Sequence, residues 1–74
     1  MESSVLIEFG QRLRELRQER GGTQKSMAAY LGCTVSKYQK IEYGQVNVSA
    51  LTLIALSEYF HVSIDYFLGR SDLR

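Results

Sequence analysis

Apolar residues recur at helical spacing along nearly the whole chain. Leu6, Phe9, Leu13 and Leu16 fall at i, i+3, i+7 and i+10, one stripe of a first helix. Ser3 or Ser4 is placed to cap it, and Gly21-Gly22 stops it. A second helix follows Thr23, carries Met27, Ala28 and Leu31 on one face, and ends at Gly32. Thr34 caps a third that runs to about Tyr43 and stops at Gly44. After the short link Gln45-Val46-Asn47-Val48, Ser49 opens a fourth helix with Leu53, Leu56, Ser57 and Phe60 along one side. His61 ends it as a C-cap, and Ser63 begins a last short helix with Ile64, Phe67 and Leu68 before Gly69. There is no strand-like run, no repeat and no proline, so glycines and caps do all the stopping. The pattern predicts an all-α fold: one compact five-helix domain over residues 1–74, with its core in about 5–69.

Size and composition agree with a single small domain. A chain of 74 residues buries only about 60% of its unfolded surface, which leaves a thin margin of stability. The apolar fraction of 45% is that of a globular protein, not a disordered one. Cys33 is the only cysteine, so no disulfide forms within one molecule, which suits a reducing compartment. The segment MESSVLIEFG lacks a basic-then-apolar signal pattern, and no apolar run approaches the ~20 residues of a membrane span. A soluble cytoplasmic protein is expected, with no membrane partner.

Charge changes the picture through its distribution. Net charge is only +1. Residues 11–40, however, hold Arg12, Arg14, Arg17, Arg20, Lys25, Lys37 and Lys40 against Glu15 and Glu19, a local +5 flanked by −2 on either side. Such a concentration steers a polyanion more than the total does, although a merely solvated helix surface carries charge as well.

The third helix gives that charge a setting. With about 100° of rotation per residue, Tyr38 and Ile41 lie together on one side. Ser36, Gln39, Lys40 and Tyr43 lie opposite, with Val35 and Lys37 flanking them. A helix fits the major groove of B-DNA, about 12 Å wide, where amide, hydroxyl and ammonium groups reach base edges and phosphates. Any amphipathic helix has a polar face, so the connection carries more weight. The second helix ends and the third begins within Gly32-Cys33-Thr34, where glycine turns the corner, Cys33 tucks beneath it as a small apolar plug, and Thr34 caps. A turn of 3–4 residues with glycine between two short helices is the helix-turn-helix pattern, whose second helix enters the groove.

Residues 9–69 resemble the Cro/repressor-type helix-turn-helix family, the XRE family of lambda-repressor-like domains. The resemblance lies in FGQRLRELRQERGGTQ, AAYLGCTVSKYQKIEYG and LTLIALSEYFHVSIDYFLGRSD. It implies a bacterial or phage transcriptional regulator, with double-stranded operator DNA as its partner. On that resemblance Gln24, beside Lys25, corresponds to a phosphate-clamping glutamine, and Thr34 to a backbone contact. Val35, Ser36, Lys37 and Lys40 occupy base-reading positions, with Gln39 on the same outer face, and Tyr43 and Asn47 flanking phosphate positions. Arg17 and Glu42 match a pair that braces the first helix against the third. Departures stand beside the matches. Val35 offers only apolar contact, as to a thymine methyl, where relatives carry a long polar residue. Tyr38 replaces a small aliphatic residue and is assigned to the core. Ser26 replaces a capping-box glutamate, which predicts a less firmly started second helix, and Val48 replaces a proline.

No catalytic constellation is present. Glu58 and Asp65 are separated carboxylates, His61 has no second ligand at metal spacing, and there is no phosphate loop. A non-enzyme without metal, cofactor or small-molecule ligand is expected. Leu51, Ala55 and Tyr59 on the fourth helix, with Tyr66 and Leu68 beyond, form a stripe displaced from the core side and predict a homodimer through helices four and five. The leading expectation is a repressor that binds a palindromic operator as a homodimer through its third helix. The alternatives are an antitoxin or protein-interaction module of the same fold, with DNA binding secondary, and a domain that has lost DNA binding. The few residues after Gly69 offer no flexible toxin-binding tail.

Overall fold

A computed structural model describes residues 4–74, and these form five helices. They are α1 (Ser4–Glu19), α2 (Gln24–Leu31), α3 (Val35–Glu42), α4 (Ala50–Phe60) and α5 (Ile64–Phe67). The hydroxyls of Thr23, Thr34, Ser49 and Ser63 accept from the backbone N–H of Ser26, Lys37, Thr52 and Tyr66. Each such cap contributes about 1 kcal/mol and fixes where its helix starts. Ser4 is already the first residue of α1, and the other candidate cap, Ser3, lies outside the described residues. The expectation of a weakly started α2 is corrected by the local geometry. Ser26 Oγ accepts from the Thr23 N–H at 3.0 Å and donates to the Thr23 carbonyl at 2.9 Å. The serine thus closes the capping box that a longer glutamate closes elsewhere.

The core draws on every helix. Phe9, Leu13 and Leu16 of α1 meet Met27 and Ala28 of α2, Tyr38 and Ile41 of α3, Leu56 and Phe60 of α4, Val62, and Phe67 of α5. Phe67 lies 5.2 Å from Phe9 and 6.4 Å from Phe60, ring centre to ring centre, and so ties the short α5 to both long helices. Cys33 packs half-buried against this core, as its place under the turn suggested. Arg74 folds back to pair with Glu19 at 2.7 Å, and the Ser63 N–H donates to the Arg74 carbonyl.

α3 is held by two kinds of contact. One is backbone against backbone: a Cβ on Gly10 would stand 2.2 Å from the Glu42 carbonyl oxygen, and one on Gly44 would stand 2.7 Å from Ile7 Cα. Only glycine lets α1 approach the end of α3 this closely. The other is a buried charge. Glu42 is 4% exposed, and its carboxylate takes hydrogen bonds at both oxygens. Oε2 accepts from Arg17 Nε at 2.6 Å and Tyr38 OH at 2.5 Å; Oε1 accepts from Arg17 Nη2 at 3.2 Å and Gln24 Nε2 at 3.3 Å. Arg17 also donates to the Gly22 carbonyl at 3.1 Å. Burial by itself pushes the Glu42 carboxyl up, but the hydrogen bonds from Arg17, Tyr38 and Gln24 outweigh it and hold the group below its ordinary range.

Because the folded-state pKa of Glu42 is depressed, its contribution to stability is complete above the unfolded value of about 4.3 and is lost as pH falls through the folded value. Urea unfolding followed from neutral to acid pH is expected to show that loss. Glu42→Gln is expected to make the acid limb shallower and, at neutral pH, to lower stability by about 3 kcal/mol by leaving Arg17 unpaired. A second expectation concerns the C-cap of α4. His61 adopts a left-handed backbone conformation at φ 57°, the sole non-glycine to do so among the described residues. His61→Gly is expected to raise stability by about 1 kcal/mol, a gain of about 5 °C in Tm by calorimetry.

Candidate nucleic-acid interface

The corner between α2 and α3 is built from three residues. Gly32 takes φ 70° and ψ 33°, and its N–H bonds the carbonyls of Ala28 and Ala29. The Cys33 N–H bonds Ala28 O at 3.0 Å, closing the last turn of α2 from beyond the glycine. Thr34 then starts α3 at once. The two helices are therefore fixed by hydrogen bonds on both sides of the bend.

Around α3, Tyr38 and Ile41 are buried, while Thr34, Val35, Ser36, Lys37, Lys40 and Tyr43 are exposed. Val35 is 38% and Tyr43 54% exposed, so an apolar contact and a phenol flank the serine and lysines. Gln39 differs from its neighbours. It is half-buried, and its Nε2 donates to Gln24 Oε1 at 3.0 Å. Gln24, at the first position of α2, is half-buried in turn and donates to Glu42. Lys25 beside it is exposed. Among the described residues nothing accepts from the backbone N–H groups of Gln24 and Lys25, which open the first turn of α2. A helix N-terminus with unclaimed N–H groups next to a lysine suits a phosphate. Asn47 is exposed on the link after α3, and its Oδ1 is taken by the Val48 N–H at 2.9 Å.

Three of the four arginines in and just after α1 prove less available than the sequence count suggested. Arg17 is spent on Glu42. Arg12 lies 3.6 Å from Glu8 and beside the Tyr66 ring. Arg20 stacks over Tyr59 and Phe60 and donates to the Tyr59 carbonyl. The exposed lysines beside the polar face of α3 are Lys25, Lys37 and Lys40, and Arg14 of α1 is exposed as well.

The expected partner face on α4 is also redrawn. Leu51 is 79% exposed, as anticipated, but Tyr59 is half-buried against the core, with its ring 4.6 Å from that of Tyr30. The Ala55 carbonyl accepts from Tyr30 OH at 3.4 Å. Ile54, 42% exposed and not singled out from the sequence, joins Leu51 as the outward apolar pair. Sequence reading also passed over Gly10 and the link from Gln39 through Gln24 to Glu42. A glycine inside an otherwise helical run was the available signal for the first. The second leaves no signal, because its members are 15 and 18 residues apart.

Comparison with known proteins agrees with this geometry. A family profile described as helix-turn-helix matches residues 13–67. The HTH-type transcriptional regulator PrpR of Mycobacterium tuberculosis is 42% identical over 65 residues, which is 88% of this chain and 13% of that protein. The SPbeta prophage-derived uncharacterized HTH-type transcriptional regulator YonR of Bacillus subtilis is 40% identical over 60 residues, 81% of this chain and 56% of that protein. The chain thus spans little more than half, or far less, of these curated relatives. The crystal structure of the restriction-modification controller protein C.AhdI from Aeromonas hydrophila superposes with a TM-score of 0.73 at 35% identity, covering 84% of this chain and 94% of that one. With the profile spanning most of its helices and a solved relative sharing its architecture, the protein belongs to the Cro/C1-type (XRE) helix-turn-helix family of DNA-binding transcriptional regulators.

Proposed function

We propose that the protein is a sequence-specific repressor that binds a palindromic operator as a homodimer, with α3 of each protomer in the major groove. The observation that carries this reading is the outer side of α3, where Val35, Ser36, Lys37 and Lys40 stand exposed on a helix braced from behind by Tyr38 and Glu42. Lys37 and Lys40 reach bases or phosphates, and Val35 meets a thymine methyl. The first turn of α2, with Gln24 and Lys25, receives a phosphate on one side of the groove. Thr34, Tyr43 and Asn47 contact the flanking backbone, and Gln39 lies between the two helices. Bound in this way, the protein represses by occupying DNA that transcription needs, in the cytoplasm.

Arithmetic and the surface of α4 support two-fold pairing. One helix reads few base pairs, and useful specificity needs two, spaced about 34 Å along the duplex. Each protomer measures 28 × 28 × 20 Å, so two side by side span that distance. α4 is apolar on more than its core side, and Leu51 with Ile54 supplies the surface to be covered. Replacing both by glutamate is expected to yield a monomer by sedimentation velocity and to weaken operator binding. A dimer that survives the double replacement places the interface elsewhere.

The lysines make the groove reading quantitative. If Lys25, Lys37 and Lys40 each neutralise one phosphate, log K for the dimer falls with log salt at a slope of about −5. Lys40→Ala is expected to weaken binding and to flatten that slope by about 2 if Lys40 meets phosphate. If it meets a base, the same change relaxes preference at one position at a cost of about 1–3 kcal/mol. Unchanged affinity across several salt concentrations removes Lys40 from the interface.

A further inference from the structure

The chain of hydrogen bonds from Glu42 through Gln24 to Gln39 has a direction. An ionised carboxylate has no proton to give, so it accepts only. Gln24 must therefore turn its NH2 group toward Glu42, and does so at 3.3 Å. That choice points Gln24 Oε1 the other way, toward α3. Gln39 in turn must offer its NH2 group, and donates to Gln24 Oε1 at 3.0 Å. With either amide reversed, oxygen would face oxygen or NH2 would face NH2 at hydrogen-bond distance. What remains is the second N–H of the Gln39 amide and its Oε1, which accepts no hydrogen bond from the described residues. It is also not sealed from solvent, since among those residues no buried side-chain oxygen or nitrogen lacks a partner. A free glutamine amide accepts or donates by flipping; this one is committed before any ligand arrives.

We propose that the buried Glu42 carboxylate, acting through Gln24, fixes Gln39 so that its carbonyl oxygen faces the groove and selects a base bearing an exocyclic amino group. In the major groove those are adenine, through N6, and cytosine, through N4, whereas guanine and thymine offer keto oxygens that an acceptor repels. The assignment rests on the reading that α3 lies in the major groove. Gln24 is then a positioning residue in addition to any phosphate it meets, and Gln39 is a specificity determinant, although it is the least exposed polar group on its face of the helix.

The test is selection from random duplex DNA with the full chain, repeated for Gln39→Leu and Gln24→Met, each first shown by circular dichroism to melt cooperatively. For the wild type, one base pair per half-site is expected to favour adenine or cytosine over guanine or thymine about fivefold, the worth of one hydrogen bond. Gln39→Leu is expected to erase that preference by losing affinity for the amino-bearing base. Gln24→Met is expected to erase it differently: the untethered amide flips, and affinity for the keto-bearing base rises relative to the amino-bearing one. A merely structural role for Gln24 lowers both alike and overturns the relay, as does a preference left intact in Gln24→Met. A Gln39-dependent preference for guanine or thymine overturns the polarity, and no Gln39-dependent position overturns the assignment of Gln39. If the wild type enriches no sequence at all, the groove reading itself falls and takes this one with it.

Discussion

A carboxylate withdrawn from water at the meeting of three helices is costly unless every lone pair is used. Glu42 meets that condition: an arginine from α1, a phenol from its own helix and an amide from α2 fill both oxygens. Replaced by apolar side chains of the same volume, such clusters are often no less stable. What apolar packing lacks is direction. The hydrogen bonds fix the rotation and axial position of α3 relative to α1 and α2, because each has a narrow range of length and angle. The glycine contacts at Gly10 and Gly44 then bring the helices as close as backbones allow. A helix used to match base edges needs that definition more than it needs raw stability.

Much of the fold was legible because the signals are local. Thr23, Thr34, Ser49 and Ser63 start helices, Gly32 and His61 end them, and the apolar spacing between them names the core almost residue by residue. Arg17 and Glu42 were legible only through resemblance, since a pair 25 residues apart has no local pattern. The misreadings share a cause. Ser26 was judged by the length of its side chain, yet a short hydroxyl reaches the same N–H when the turn is tight. Tyr59 was judged by its position on a helix face and the arginines were only counted as charge, and neither says what long side chains do at their ends. Arg20 lies across Tyr59 and stays exposed, while Tyr59 is half-buried.

The same limit applied to the site. Exposure of Val35, Ser36, Lys37 and Lys40 followed from the wheel, while the engagement of Gln39 with Gln24 did not. The surface that results divides the labour. In the proposed complex, lysines supply sequence-independent attraction, the N-terminus of α2 supplies register on the phosphates, and a few short or fixed side chains remain to read bases. With so few readers, the proposed mode needs a second protomer, and that links the apolar pair left open on α4 to DNA binding as well as to the proposed assembly.

The most direct test of this account follows backbone amide resonances while a duplex obtained by selection is titrated into the labelled protein. Large shifts are expected at residues 24–25 and 34–40, with smaller ones near 43–47 and little change along the outer side of α1. Shifts confined to α4 and α5, with residues 34–40 unmoved at saturating DNA, would contradict it.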